Sequence, residues 1–160
     1  MKIDLAKIEI REIGSAEVEL LTSFRLAYLT ELQGERSEEY HQTLKTELNQ
    51  YFYEALADNR FFAFLAEQDG TILSFGGMVL KKIPGDFNQS SYLEGDILNM
   101  YTVPFARRKG ISSLILQQLL NEALRRGVSK VSLHTSKDGE KLYRKYGFNE
   151  PAYPVLELCL

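Results

Sequence analysis

Residues 100–116 read MYTVPFARRKGISSLIL. A β-prone run reaches Pro104, passes through Arg107, Arg108 and Lys109, and then enters Gly110, two serines and an apolar helix. A helix start carries partial positive charge and attracts anions. Three cations at that point are misplaced unless an anion joins them. The chain as a whole is acidic, with a formal net charge of −3, so overall composition does not explain the run.

The first N–H groups of a helix have no intrahelical partner and together form an anion site. Gly110 has no Cβ, so a ligand can approach the backbone there. Ser112 and Ser113 are small and can add hydroxyl donors. With the three cations, these groups suit a pyrophosphate. Neither a Walker G-x-x-x-x-G-K-[ST] nor a Rossmann G-x-G-x-x-G is present. Taken alone, RRKG also fits a solvated basic turn, so the surrounding pattern must decide.

Working outward, apolar periodicity predicts a helix over 110–126. Gly127 suits its C′ position, and Arg125 and Arg126 complement the dipole. A strand is expected near 92–103, after the polar loop PGDFNQSS. Strands near 61–67 and 71–82 flank Asp69-Gly70, a hairpin signal. Towards the N-terminus, IEIREI at 8–13 alternates as a strand does. Helices follow over 16–33, with Ser15 as its cap, and from Ser37 along Tyr40, Leu44, Leu48, Phe52 and Leu56. Beyond Gly127, KVSLHT reads as a strand, DGEKLYRKY as a short helix stopped by Gly147, and YPVLELCL as a final strand. The order is β-αα-βββ-α-β-α-β. It predicts an α/β (α+β) fold, a mixed central sheet flanked by helices on both faces, in a single domain over 1–160.

With 160 residues, 44% of them hydrophobic, the chain can bury roughly 70% of its unfolded surface in one core. Cys159 is the lone cysteine, and His41 and His134 are the only histidines. One thiol cannot form an internal disulfide or build a zinc site alone, a multi-histidine site is excluded, and no metal is expected. The N-terminus lacks a signal-peptide pattern, and no apolar run approaches the ~20 residues of a membrane span. A cytoplasmic protein without membrane or nucleic-acid partners is expected, because nucleic-acid binders are usually basic.

VPFARRKGISSLIL resembles motif A of the GCN5-related N-acetyltransferase (GNAT) family: a strand, often a proline, then [QR]-x-x-G-x-[GA] opening a helix. Arg107 to Ser112 carry the match, with serine at the last position. LHTSKDGEKLYRKYGF resembles motif B in Leu142, Tyr143, Gly147 and Phe148. Ser136 and Gly139 stand where that motif often has asparagine and alanine. The element order is also similar to the family's, over nearly the whole chain.

The resemblance implies acetyl-CoA held between two splayed strands, the one ending at Val103 and KVSLHT. The pantetheine arm would lie along Met100, Tyr101 and Val103. The pyrophosphate would sit on Arg107, Arg108, Lys109, Gly110, Ile111, Ser112 and Ser113, with Ser136 as a further cofactor contact. Asn99 and Met100 blur the strand's two faces, as a bulge would. The implied reaction is direct attack of an amine on the thioester in a ternary complex, through a tetrahedral intermediate. Tyr143 matches the family's acid, and a tyrosine with a pKa of about 10 is protonated at neutral pH. A backbone amide near Tyr101 would polarise the carbonyl. Asp96 and Glu94 are the candidate bases, with His134 in second line and a water chain as a further route. Arg25, Tyr28, Glu31 and Tyr53 are candidate acceptor-lining residues.

The expected function is acetyl transfer from acetyl-CoA to a primary amine of a small molecule or peptide. The alternative is a non-catalytic acyl-CoA-binding sensor on the same fold. A homodimer is left open by the sequence.

Overall fold

FFAFLAEQ is apolar almost throughout, which suits a strand covered on both faces. The computed structural model, which describes residues 1–160, places it as such. Strands are β1 (Glu9–Glu12), β2 (Phe61–Gln68), β3 (Thr71–Pro84), β4 (Ser91–Thr102) and β5 (Lys130–Ser132). Helices are α1 (Val18–Gln33), α2 (Glu38–Ala57), α3 (Ile111–Arg125) and α4 (Lys137–Lys145). The sheet order is β1-β2-β3-β4-β5. All pairs are antiparallel except β4 with β5, which is parallel and spanned by α3.

Side chains alternate across a strand, so β2 feeds two cores. Phe61, Ala63 and Leu65 pack with Leu21 of α1 and with Phe52 and Ala55 of α2. Phe62, Phe64 and Ala66 pack with Ile111, Ile115 and Leu119 of α3. Phe52 and Phe61 are fully buried with ring centroids 5.1 Å apart, a contact worth ~1 kcal/mol beyond the burial itself. The mixed sheet between helical layers is the fold class expected from the sequence.

Local signals act as their chemistry suggests. Asp69 and Gly70 turn the β2–β3 hairpin with φ of +50° and +75°, the left-handed pair of a type I′ turn. Ser37 Oγ accepts from the Tyr40 N–H at 3.3 Å and caps α2.

Three expectations are corrected. Ser15 does not cap α1; it lies in a 3₁₀ turn, Ser15–Glu17, where the Glu17 carboxylate accepts from the Gly14 N–H at 3.2 Å. KVSLHT forms a ladder only over Lys130–Ser132. YPVLELCL forms no strand: Val155, Leu156, Leu158 and Leu160 are exposed, as is Cys159. A short β5 offers little edge to pair with, and Pro151 and Pro154 supply no N–H. Alternation without a ladder does not make a strand.

Candidate active site

β4 outruns its parallel neighbour. Pairing with β5 stops at Asp96↔Ser132, yet β4 continues to Thr102. From Ile97 onward its β5-facing edge is open. Within this stretch the β3–β4 register shifts: Phe75 faces Tyr101, but Gly77 faces Leu98. Asn99 and Met100 therefore stand opposite Gly76 alone, which is the expected bulge. Asn99 adopts φ +62°, a left-handed conformation that costs a non-glycine residue roughly 1–3 kcal/mol and clusters at functional sites. Gly76 makes room for the neighbouring Met100; a Cβ there would lie 2.5 Å from Met100 Sδ and 2.7 Å from Ile115 Cγ2.

The chain then leaves β4 through a 3₁₀ turn, Pro104–Ala106, and enters α3. Gly110 occupies the N-cap position with φ +83° and no side chain caps the helix. None of the N–H groups from Arg108 to Ser113 donates to a backbone carbonyl. That run of free amides is the physical basis of an anion cradle. A Cβ on Gly110 would project into open space, its nearest neighbour Leu5 Cδ1 at 3.9 Å. Arg108 and Lys109 are exposed at the rim. Arg107 turns elsewhere. Its Nε donates to the Thr102 carbonyl at 2.8 Å, its Nη2 pairs with Glu31 at 2.7 Å, and its guanidinium lies 5.7 Å from the Tyr101 ring centroid. It ties the β4–α3 turn to α1.

α4 is seated near the same opening. Ser136 Oγ accepts from the Gly139 N–H at 3.2 Å and caps it, and Tyr146 Oη donates to the Ser113 carbonyl at 3.3 Å. Tyr143 packs edge-on against Phe148, with centroids 5.8 Å apart. Burial, and secondarily the nearby Tyr28 hydroxyl, push the Tyr143 phenol up to about 12. It holds its proton at neutral pH.

The acidic pair is placed differently from a free base. Asp96 is bonded to Lys81 at 2.6 Å and Glu94 to Lys130 at 3.1 Å. The Asp96 carboxylate in turn raises the Lys81 ammonium above its ordinary value. His134 is almost fully exposed, with Glu157 3.7 Å away. Tyr53 is exposed on α2. Arg25 and Tyr28 do meet the site: Arg25 Nη1 donates to Asn99 Oδ1 at the bulge and its guanidinium lies 6.0 Å from the Tyr28 ring centroid. No spacing rule connects Arg25 with Asn99 or Glu31 with Arg107, because each pair spans more than 70 residues. A groove of about 680 Å³ between α1 and α2 includes Glu31 and His41 but no residue of the bulge.

An open strand edge, a bulge and a free helix start beside a protonated phenol define an acyltransferase-type fold. The family model described as Acetyltransferase (GNAT) family matches residues 26–148, and the chain belongs to that family. A predicted acetyltransferase from Clostridium acetobutylicum, crystallised with acetyl-CoA, is similar at 31% identity and TM-score 0.82 over 95% of this chain and 96% of that one. A GCN5-related N-acetyltransferase from Ralstonia eutropha JMP134 is similar at 23% identity and TM-score 0.76, over 94% and 98%. Glucosamine-6-phosphate N-acetyltransferase from Arabidopsis thaliana shares the fold at 18% identity and TM-score 0.67, over 94% and 97%. None of the curated proteins compared with the chain matches it significantly.

Proposed function

We propose that the protein transfers the acetyl group of acetyl-CoA to a primary amine of a small molecule or peptide, by direct attack in a ternary complex. The observation that carries this reading is the run of unpaired amides from Arg108 to Ser113 beside the open edge of β4. The 31%-identical relative crystallised with acetyl-CoA supports the choice of cofactor.

Acetyl-CoA supplies an activated acyl thioester. The amides of Arg108 through Ser113 bind its phosphates, and Arg108 and Lys109 offset the remaining charge. The backbone of Met100, Tyr101 and Val103 offers the free edge to the pantetheine arm, as an added strand would use it. An amide near Tyr101 polarises the reacting carbonyl. Ser136 keeps a hydroxyl proton to donate, because its oxygen only accepts from Gly139. Tyr143 Oη is the proton donor to the leaving sulfur. Asp96 and Glu94 are each occupied by a lysine ammonium, so water takes the proton of the acceptor amine.

The test is incubation with acetyl-CoA and a panel of amines, following free thiol and the acetylated product by mass. Amine-dependent thiol release is expected. Tight acetyl-CoA binding with no turnover on any amine would overturn the reading in favour of a non-catalytic acyl-CoA sensor.

A further inference from the structure

The acceptor side of the opening contains an arginine without an acid. Two arginines of the chain are partly buried, Arg25 and Arg126; the others are exposed. Arg126 is matched by Glu122 at 2.7 Å and Glu12 at 3.0 Å. Arg25 has no carboxylate partner. The groups that act on its charge, besides burial, are the hydroxyls of Tyr28 and Tyr51. Withdrawing a cation from water without a counter-ion is costly, and desolvation accordingly lowers the Arg25 guanidinium below its ordinary range. Only one of its five N–H donors is engaged within the protein, by Asn99 Oδ1.

A second observation lies on that partner. Asn99 is only 6% exposed, and its Nδ2 has no hydrogen-bond acceptor. The amide orientation follows from chemistry: Arg25 can only donate, so Oδ1 faces it and Nδ2 is the free end. A buried unsatisfied donor costs roughly 1–3 kcal/mol. The backbone that carries it is itself held at φ +62° in the bulge. Arg25 and Asn99, bonded to each other, thus both keep unfilled donors at the bulge where the strand edge opens. Arg25 also adjoins Tyr28, which is within electrostatic reach of Tyr143.

We infer that Arg25 and the Asn99 amide recognise a carboxylate on the acceptor, so that the amine acetylated belongs to an amino-acid-like molecule. One fork-shaped cation and one neutral donor match a planar monoanion. Arg107, on the β4–α3 turn, is already matched by Glu31. An unneutralised guanidinium also repels polycationic amines.

This inference rests on the acetyltransferase reading, and the experiment separates the two. Acetyl-CoA binding and thiol release test that reading. Acceptor recognition is tested by pairs that differ only in the carboxylate: free amino acids against their carboxamides as substrates, and N-acetylamino acids against N-acetylamino amides as ligands, by calorimetry in the presence of CoA. The acids are expected to be preferred about 10–100-fold, the scale of a charge-assisted hydrogen bond. Arg25→Gln should erase that preference, read as the acid-to-carboxamide ratio of kcat/KM, while Arg25→Lys should retain part of it. Equal treatment of acid and amide, no binding of either N-acetyl ligand, or an unchanged preference in Arg25→Gln each overturns the inference. If neither variant folds, the acid–amide comparison on the unaltered protein decides alone.

Discussion

Tyr143 carries the proton that the proposed reaction must deliver. Its packing against Phe148 and its burial keep the phenol neutral, with its pKa pushed from 10.0 up to about 12. Tyr143→Phe removes the donor and keeps the ring. Turnover should fall by about 10²-fold or more, on the scale of general-acid catalysis, while acetyl-CoA affinity by calorimetry stays within about twofold. Unchanged turnover would remove Tyr143 from the acid role. The same burial has a stability consequence with a definite sign. A raised folded pKa contributes stability that is intact below about pH 10 and is lost as pH rises through about 12, because the unfolded phenol ionises first. Over that window the parent should lose stability that Tyr143→Phe keeps, so the variant should show the flatter alkaline unfolding profile. The motif around Tyr143 was legible in sequence because Leu142, Gly147 and Phe148 have fixed spacing. The state of Asp96 and Glu94 was not. A carboxylate on a strand says nothing about which lysine the neighbouring strands present, and Lys81 and Lys130 come from β3 and β5.

The α3 start and the β4 bulge are each set by one glycine. At Gly110, φ is +83° and the volume around a Cβ is open. Gly110→Ala should thus cost about 1 kcal/mol in backbone strain rather than in packing, a shift of a few degrees in thermal midpoint. Its larger effect should be on acetyl-CoA, whose phosphates need close approach to the free amides; affinity should fall about tenfold or more. Gly76 is the opposite case. Its Cβ would meet Met100 Sδ and the branched Ile115 Cγ2, so Gly76→Ala should destabilise by about 1–3 kcal/mol, the usual cost of overpacking, and should disturb the bulge. Chemical denaturation measures the first effect. Loss of acetyl-CoA binding in excess of the unfolded fraction measures the second. Both glycines could be seen in sequence, but only Gly110 had a visible reason. The role of Gly76 depends on two residues that approach it from β4 and α3. The misread terminal strand has the same origin. YPVLELCL has the right alternation, but strand formation is decided by a partner's edge, and β5 supplies only Lys130–Ser132.

Across the whole molecule, the two-sided core was legible because β2 is apolar almost throughout and flanked by amphipathic helices. The long-range polar ties were not, since any arginine can reach many acids. One such tie joins the far end of α3 to the sheet. Glu122 accepts from Arg125 and Arg126, Arg126 continues to Glu12 of β1 at 3.0 Å, and its guanidinium lies 4.5 Å from the Phe62 ring centroid. The hydrogen bond from Arg125, and after it the bond and charge of Arg126, hold the Glu122 carboxyl down at about 2 against an ordinary 4.5. A lowered folded pKa contributes stability that is present above about pH 4.5 and is lost as pH falls through about 2, because the unfolded carboxylate takes up its proton first. The Glu122 side chain is only 11% exposed, so solvent screening is limited. Glu122→Gln preserves shape and removes the charge. It should lower stability by about 1–2 kcal/mol at pH 7, as read from urea midpoints, and the gap from the parent should close as the pH is taken from 5 towards 2. A gap that persists unchanged at acid pH would show that the loss comes from packing around Arg126 and Phe62 and not from the carboxylate's charge. The site at the opposite end of α3 should keep its acetyl-CoA affinity in this variant, because no residue of the network touches the amides from Arg108 to Ser113.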